Sequence, residues 1–226
     1  MRKTAAFAIV SLGIAAGPPA VADETGFYAG ANALGLLSTY HRADLDSAMT
    51  AAFSGADSPL TMGPSSVERT RYSWSVDVGY RVTRNLGVEL SYMDLGSLSY
   101  SGFGTRPVSS VSAEEVHLKL DFRSHGPALA VVGILPMTNF WDMTARVGAF
   151  RAKTHTNFRT TAGDGENSGS FSESSTSLLA SVGAAFTVTT HCVLRLDYLR
   201  IQKIKEKGLD RPFNVDGVTA GLAYVL

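Results

Sequence analysis

The most regular stretch of the chain runs from Tyr72 to Arg81, where Tyr72, Trp74, Val76, Val78 and Tyr80 alternate with Ser73, Ser75, Asp77, Gly79 and Arg81. A period of two sends these sets to opposite faces of a β-strand. The same alternation recurs along the chain and predicts eight strands. The first sets Phe27, Ala29, Ala31 and Ala33 against Tyr28, Gly30, Asn32 and Leu34. The third sets Val88, Leu90 and Tyr92 against Glu89, Ser91 and Met93. In the fourth, Val116, Leu118, Leu120, Phe122, Ala128, Ala130, Val132 and Ile134 share one parity, opposite His117, Lys119, Asp121, Arg123 and His125. The fifth sets Trp141, Met143, Ala145, Val147 and Ala149 against Asp142, Thr144, Arg146 and Gly148. The sixth carries Leu178, Ala180, Val182, Ala184, Phe186 and Val188 on its apolar side, and the seventh Leu194, Leu196 and Tyr198 opposite Val193, Arg195 and Asp197. The eighth ends the chain: Val218, Leu222, Tyr224 and Leu226 alternate with Gly217, Thr219, Gly221, Ala223 and Val225.

The connections alternate between short and long. Thr83–Asn85, Leu135–Asn139 and Thr189–His191 are short, whereas 35–71, 96–115, 154–176 and 202–213 are long, rich in Ser, Gly, Asp and Thr, and without a periodic run. Soluble hairpin loops have no reason to lengthen at every second position. Short turns at one end and long loops at the other, on an even number of strands, are the pattern of a transmembrane barrel. The expected fold is all-β: an eight-stranded antiparallel up-and-down transmembrane β-barrel, with both termini on the periplasmic side.

A soluble barrel shares the period of two, so the second face decides. That face is small and sparsely charged, with Ser73, Ser75, Gly79, Ser91, Gly148, Ser181, Gly183, Gly217 and Gly221. A water-facing surface would be rich in Lys, Glu and Gln, while the interior of an eight-stranded barrel is only wide enough to be filled by side chains. The apolar face is therefore assigned to lipid. The few inner charges, Asp77, Glu89, Asp142 and Asp197 against Arg81, Arg146 and Arg195, nearly balance. Buried charges persist when paired, and the Arg fork suits a carboxylate, so these seven residues are the candidate polar network of the lumen. Aromatic residues fall near both strand ends, as in the girdles of membrane barrels.

At the N-terminus, Arg2-Lys3 precedes a mostly apolar run from Thr4 to Ala16, then Gly17-Pro18-Pro19 and the small-x-small Ala20-Val21-Ala22. This predicts a secretory signal peptide over 1–22 and a barrel domain over 23–226. Removing Arg2 and Lys3 from a chain balanced at 20 basic and 20 acidic residues leaves the remainder two units negative, which argues against nucleic acid as a partner. Cys192 is alone, so no internal disulfide is expected.

Several segments in this order and spacing resemble the OmpA-like transmembrane domain, the eight-stranded outer-membrane barrel family. They are Gly26-Phe27-Tyr28-Ala29-Gly30, the hairpin Asp77–Arg81 through Gly87–Tyr92, Leu135-Pro136 followed by Arg146-Val147-Gly148, and the closing Gly217–Leu226. Thr219, Gly221, Tyr224 and Leu226 also resemble the C-terminal assembly signal of bacterial outer-membrane barrels, with Leu226 where phenylalanine is usual. The resemblance implies a charged, hydrogen-bonded interior, loops open to the outside, and as partners the barrel assembly machinery, outer-membrane lipid and lipopolysaccharide.

Chemistry is sparse. Asp121, Ser124 and His125 are a conceivable acid, nucleophile and base, but a triad is defined by geometry. The five histidines are scattered without ligand spacing, so neither metal nor cofactor is expected. The basic residues Arg71, Arg123, Arg151, Lys153, Arg200, Lys203, Lys205 and Lys207 fall near the long-loop rim. Two readings stay open for them, contact with lipopolysaccharide phosphates, foremost by Lys203, Lys205 and Lys207, and a solvated charged face. The expected function is a non-enzymatic envelope barrel with loops for adhesion or partner contact. A narrow pore or gated channel is the alternative, and a lipid A hydrolase a more distant one.

Overall fold

The computed structural model describes residues 25–38, 42–54, 60–69, 73–109, 112–163, 165–204 and 213–226. Its elements are β1 (Gly26–Ser38), α1 (Arg42–Phe53), β2 (Thr61–Arg69), β3 (Ser73–Thr83), β4 (Leu86–Ser109), β5 (Ser112–Pro136), β6 (Trp141–Ala162), β7 (Gly165–Thr187), β8 (Cys192–Ile204) and β9 (Phe213–Val225). Eight strands pair antiparallel in the ring β1-β3-β4-β5-β6-β7-β8-β9, and β9 returns to β1 from Tyr28↔Val225 to Ser38↔Val215. Closure gives every strand of the ring two partners, which lipid demands because it offers backbone groups no water. No helix among the described residues is long and apolar enough to cross a membrane.

The alternation dictates which side faces out. Trp74, Val76, Val78 and Tyr80 of β3 are exposed, and Ser73, Ser75, Asp77 and Gly79 are buried. This is the reverse of a soluble barrel. Rows of outward apolar residues continue on β4, β6, β7, β8 and β9 with Leu90, Val147, Val182, Leu196 and Leu222, each about half exposed. Aromatic pairs sit at the two ends of this band: Phe27–Tyr80 (ring centroids 4.7 Å) and Trp141–Phe186 (6.3 Å) by the short turns, Trp74–Tyr92 (6.2 Å) at the far end.

Three expectations are corrected. The fourth predicted strand is inverted: Val116, Leu118, Ala128, Ala130, Val132 and Ile134 of β5 are buried inside, and Leu129, Val131 and Leu135 face outward. Both parities of this segment are apolar, so its own sequence cannot choose; the register Leu90↔Leu129 and Val88↔Val131 aligns it with the outer face of β4. His125, expected inside, therefore lies on the outer side, its ring 6.3 Å from that of Tyr92. The long connections are also not structureless. The β6–β7 hairpin runs on in register to Ala162↔Gly165, and the β4–β5 hairpin, with register shifts at Asp94/Ser97 and Pro107/Ser109, pairs as far as Ser109↔Ser112. β5 has 25 residues, while a membrane strand needs roughly ten, so these hairpins project far beyond the apolar band. Finally, 35–71 contains α1 and β2, and β2 pairs with the projecting part of β4 from Thr61↔Thr105 to Arg69↔Leu98. The predicted residues Tyr72 and Arg71 lie outside the described residues.

The interior is layered. Toward the far end, Leu34, Met93, Phe150, Leu179, Leu199, Ile201 and Val215 point inward and form one apolar cluster. Above it, Leu45 and Met49 of α1, one helical turn apart, pack with Leu60, Leu98, Tyr100, Val116 and Leu118 on the projecting sheet. The Tyr100 hydroxyl donates to Asp46 Oδ1 at 2.7 Å, satisfying the one polar atom that burial of the ring would strand. At the base of the projection, β4 bulges between Asp94 and Ser97, and Gly96 adopts φ 76°, a left-handed conformation that glycine takes without a Cβ clash.

Phe150 is fully enclosed in the apolar layer. Phe150→Ala is predicted to lower unfolding stability by about 3–5 kcal/mol, the usual cost of a large core truncation. Urea titration of the protein folded in lipid vesicles checks this, and a loss below about 1 kcal/mol would mean the layer is loosely packed.

Candidate functional site

Between the apolar layer and the turn end, inward residues of six strands converge in one polar cluster. Period-two geometry places Tyr28 and Asn32 of β1, Ser75 and Asp77 of β3, Glu89 of β4, Thr144 and Arg146 of β6, Arg195 and Asp197 of β8 and Thr219 of β9 on the lumenal face. Arg195 is its hub. Its Nη2 donates to Asp77 Oδ1 at 2.5 Å and to Asn32 Oδ1 at 3.2 Å, and its Nη1 to Glu89 Oε2 at 2.9 Å. Arg146 Nη1 donates to Asp197 Oδ1 at 2.5 Å. Arg146 Nε lies 3.3 Å from Glu89 Oε1, an ion-pair distance without hydrogen-bond alignment. Glu89 thus links the two guanidinium groups.

Uncharged groups complete the carboxylate shells. The Tyr28 hydroxyl donates to Glu89 Oε2 at 3.0 Å, Asn32 Nδ2 to Asp77 Oδ1 at 2.7 Å and to Ser75 Oγ at 3.0 Å, and Thr144 Oγ1 to Asp197 Oδ1 at 3.2 Å. Thr219 Oγ1 lies 3.5 Å from Asp197 Oδ2. Gly79 makes room for this: a Cβ there would overlap the Tyr28 ring. Asp77, Glu89, Arg146, Arg195 and Asp197 are all buried. Formally, three carboxylates face two guanidinium groups.

A void of about 50 Å³ remains beside the cluster, lined by Asp77, Arg146, Ser181 and Arg195 among others. Asp77 Oδ2, Arg146 Nε, Ser181 Oγ and Arg195 Nε are buried without a hydrogen-bond partner. A water needs roughly 10–15 Å³ by this measure, so a few waters fit where these atoms lack partners.

The seven charges singled out in the sequence separate into two groups. Asp77, Glu89, Arg146, Arg195 and Asp197 form the connected cluster, while Arg81 and Asp142 pair with each other at 3.4 Å, partly exposed near the short turns. Sequence reasoning placed Tyr28, Asn32, Ser75, Thr144 and Thr219 on the inner face but gave them no part in the network. A polar side chain at inner parity, level with a charge, is the signal that finds them. Of the C-terminal residues, Thr219 meets Asp197, Gly221 packs against Asn32, and Tyr224 faces outward with its ring 5.6 Å from His191. Leu226 is exposed, and its backbone N–H donates to the Phe27 carbonyl at 2.9 Å. The side chain of Lys203 and all of Lys205 and Lys207 lie outside the described residues.

The conceivable triad does not assemble. Ser124 Oγ is 2.9 Å from Thr154 Oγ1 and Asp121 accepts from Ser99, while His125 packs beside Tyr92 on the outer side. At the far rim, Arg123 donates to Asp94 Oδ2 at 2.7 Å and the Gly96 N–H to Asp94 Oδ1 at 2.9 Å. Burial alone would raise the Asp94 carboxyl, but these two donors hold it below the ordinary carboxylate range.

A closed barrel with an apolar outer band, aromatic ends and a filled, charge-paired lumen defines a small membrane-spanning barrel. The chain matches the OmpA-like transmembrane domain over residues 22–226 and belongs to that family of outer-membrane barrels. Similar solved structures include Neisserial surface protein A (14% identity, TM-score 0.47, 90% of this chain and 100% of that one). Ail, the attachment invasion locus protein of Yersinia pestis, crystallised with a heparin analogue, gives 15% identity and a TM-score of 0.42 over 90% and 98% of the two chains. The outer membrane protease OmpT of Escherichia coli gives 11% and 0.42 over 90% and 95%. No curated protein matches the chain in sequence.

Arg195→Met leaves Asp77 without its guanidinium and Glu89 with one in place of two. Its predicted cost is about 3–5 kcal/mol, as for other broken buried pairs. Arg81→Gln, at a partly exposed pair, is predicted to cost under about 1 kcal/mol. Urea unfolding of both variants in vesicles compares them, and equal losses would contradict the hub role of Arg195.

Proposed function

We propose that this protein is a non-enzymatic outer-membrane scaffold whose projecting hairpins make contacts at the cell surface. The lumen carries this reading: a charge-paired cluster spans it on the turn side and an apolar layer on the far side, and the void beside the cluster is about 50 Å³. Such an interior holds the ring rigid and offers no continuous water path. At the far end, β4–β7, β2 and α1 form a sheet-and-helix projection with its own apolar core. Loops on a rigid scaffold are where contact functions concentrate.

The orientation follows the same logic. Short turns, the start of β1 and the C-terminal Leu226 share one end of the barrel, which is the periplasmic end in barrels of this kind. Residues 1–22 act as the export signal, in keeping with a family match that starts at residue 22. Thr219, Gly221, Tyr224 and Leu226 serve recognition by the assembly machinery. Lys203, Lys205 and Lys207 meet lipopolysaccharide. The narrow-pore reading requires both inner layers to part at once, and the triad reading lacks its geometry.

Planar-bilayer recording of the refolded protein tests the sealed scaffold. The expected result is no discrete conductance for the wild type or for Phe150→Ala, because the charged layer stays closed in that variant. Regular steps from the wild type would establish the pore reading in its place.

A further inference from the structure

Above the barrel the strands continue as an open sheet in the order β2-β4-β5-β6-β7, so the closure that lipid demands gives way to two edges. The edges differ. On β2, Gly63 and Pro64 fall out of the pairing with β4, the register shifts between Met62 and Ser65, and Glu68 is exposed. Proline, bulges and charge are the devices that keep a foreign strand from adding to an edge. The segment of β7 from Gly165 to Thr176 is mostly Ser and Gly, contains no proline, and pairs with β6 without a register shift.

The free main-chain groups of this edge can be named. Hydrogen bonds of an antiparallel strand alternate between its two sides, and the Thr187 N–H donates to the Phe140 carbonyl, in line with Trp141↔Phe186, so the odd-numbered residues of β7 bond to β6. The even-numbered ones face away. From Leu178 onward they meet β8, but Glu166, Ser168, Ser170, Ser172 and Ser174 face no strand among the described residues. The side chains give the edge two unlike faces. Ser168, Ser170, Ser172 and Ser174 are exposed on the outer one. Phe171 lies on the inner one, 37% exposed, beside Gly169, where a Cβ would meet the Phe158 ring at 2.7 Å.

The strand that already pairs with this segment shows what chemistry suits it. Opposite it, β6 carries Lys153, His155 and Arg159 on the outer face and Thr154, Thr156 and Phe158 on the inner. Arg159 Nε lies 3.2 Å from Glu166 Oε1. Between Gly165 and Thr176 the charged residues of β7 are Glu166 and Glu173, both acidic.

We propose that this edge of β7 takes up an extended segment of another polypeptide as an added strand, with β-branched or aromatic residues beside Phe171 and basic ones on the serine-lined outer face. Main-chain bonds supply affinity in such additions, and alternate side chains supply selectivity. The inference rests on the surface-contact reading given above and names its mode and the chemistry of the partner.

A synthetic peptide with the sequence Lys153–Thr161 is the probe, because β7 already pairs with that sequence within the protein. Its binding to the protein in lipid nanodiscs, which leave both ends of the barrel accessible, is followed by fluorescence anisotropy, and its site by amide hydrogen exchange. The wild type is expected to bind. The amides of Ser168, Ser170, Ser172 and Ser174 should exchange fast without the peptide and slowly with it, while the odd-numbered amides between them stay slow in both. Of two peptides N-methylated at odd or at even residues, one should bind at least about tenfold more weakly than the other, because only one parity faces β7. Ser170→Pro should weaken binding by a similar factor, and it spares the β6 ladder because that N–H points away from β6. Equal binding of the two methylated peptides, undiminished binding by Ser170→Pro, or no binding by the wild type would overturn the edge as a docking site and leave the scaffold standing. Slow exchange of the even-numbered amides in the free protein would mean that the chain covers its own edge, and would equally overturn it. A wild type whose gel mobility does not change on heating would instead overturn the membrane scaffold on which the inference rests.

Discussion

Every backbone N–H and C=O that passes through lipid must find a partner within the protein. For a chain of strands this means the last must pair with the first, and the β1–β9 ladder does so in continuous register from Tyr28↔Val225 to Ser38↔Val215. Much else in the molecule follows from that seam. Closure at eight strands fixes a narrow lumen, narrowness requires the inner parity to be small or interlocking, and the outer parity must be apolar wherever it meets acyl chains. Gly221 illustrates the link: it stands on the seam directly opposite Asn32, and a Cβ there would displace the Asn32 amide that binds Asp77 and Arg195.

Within the lumen, the division into a charged layer and an apolar layer assigns each part a different task. Arg195 and Glu89 stand 106 positions apart in the chain, so the polar layer ties the ring across its diameter where the hydrogen-bond ladder only ties neighbours. Replacing buried ion pairs with apolar residues often costs little. The pairs here therefore specify which strands face each other, and the apolar layer of Phe150 and its neighbours supplies packing. Beyond the membrane the demand on the backbone relaxes, since water satisfies open edges. The far half of β7, from Gly165 to Ser177, pairs with β6, and its pairing with β8 begins at Leu178.

How much of this was legible in the sequence depended on how one-sided each segment is. β3 and β9 have one apolar and one small or polar face, and their period of two reads directly. β5 is apolar on both, because Ala128, Ala130 and Val132 line the inside while Leu129 and Val131 meet the outside; parity alone cannot orient such a strand, and only its partners do. The Ser-rich run from Ser168 to Thr176 left no period because neither of its faces is strongly buried, so its strand character comes from the hairpin ladder with β6. In α1, Leu45 and Met49 are two buried anchors in an otherwise small and polar segment, too few to write a helical stripe. The inner charges were visible as a near-balanced set, but their pairing was not. Arg195 meets Glu89 across the lumen, a geometry that no sequence spacing encodes.

The central claim is the closed seam in its stated register, and disulfide trapping across it tests this most directly. In a Cys192→Ser background, Ala29→Cys combined with Tyr224→Cys places two thiols on a directly paired row of β1 and β9. Ala29→Cys combined with Ala223→Cys places them on opposite faces. Mild oxidation of the membrane-inserted protein is predicted to give a rapid intramolecular disulfide in the first variant and little in the second. Efficient bonding in the second, or bonds between chains in the first, would contradict the account.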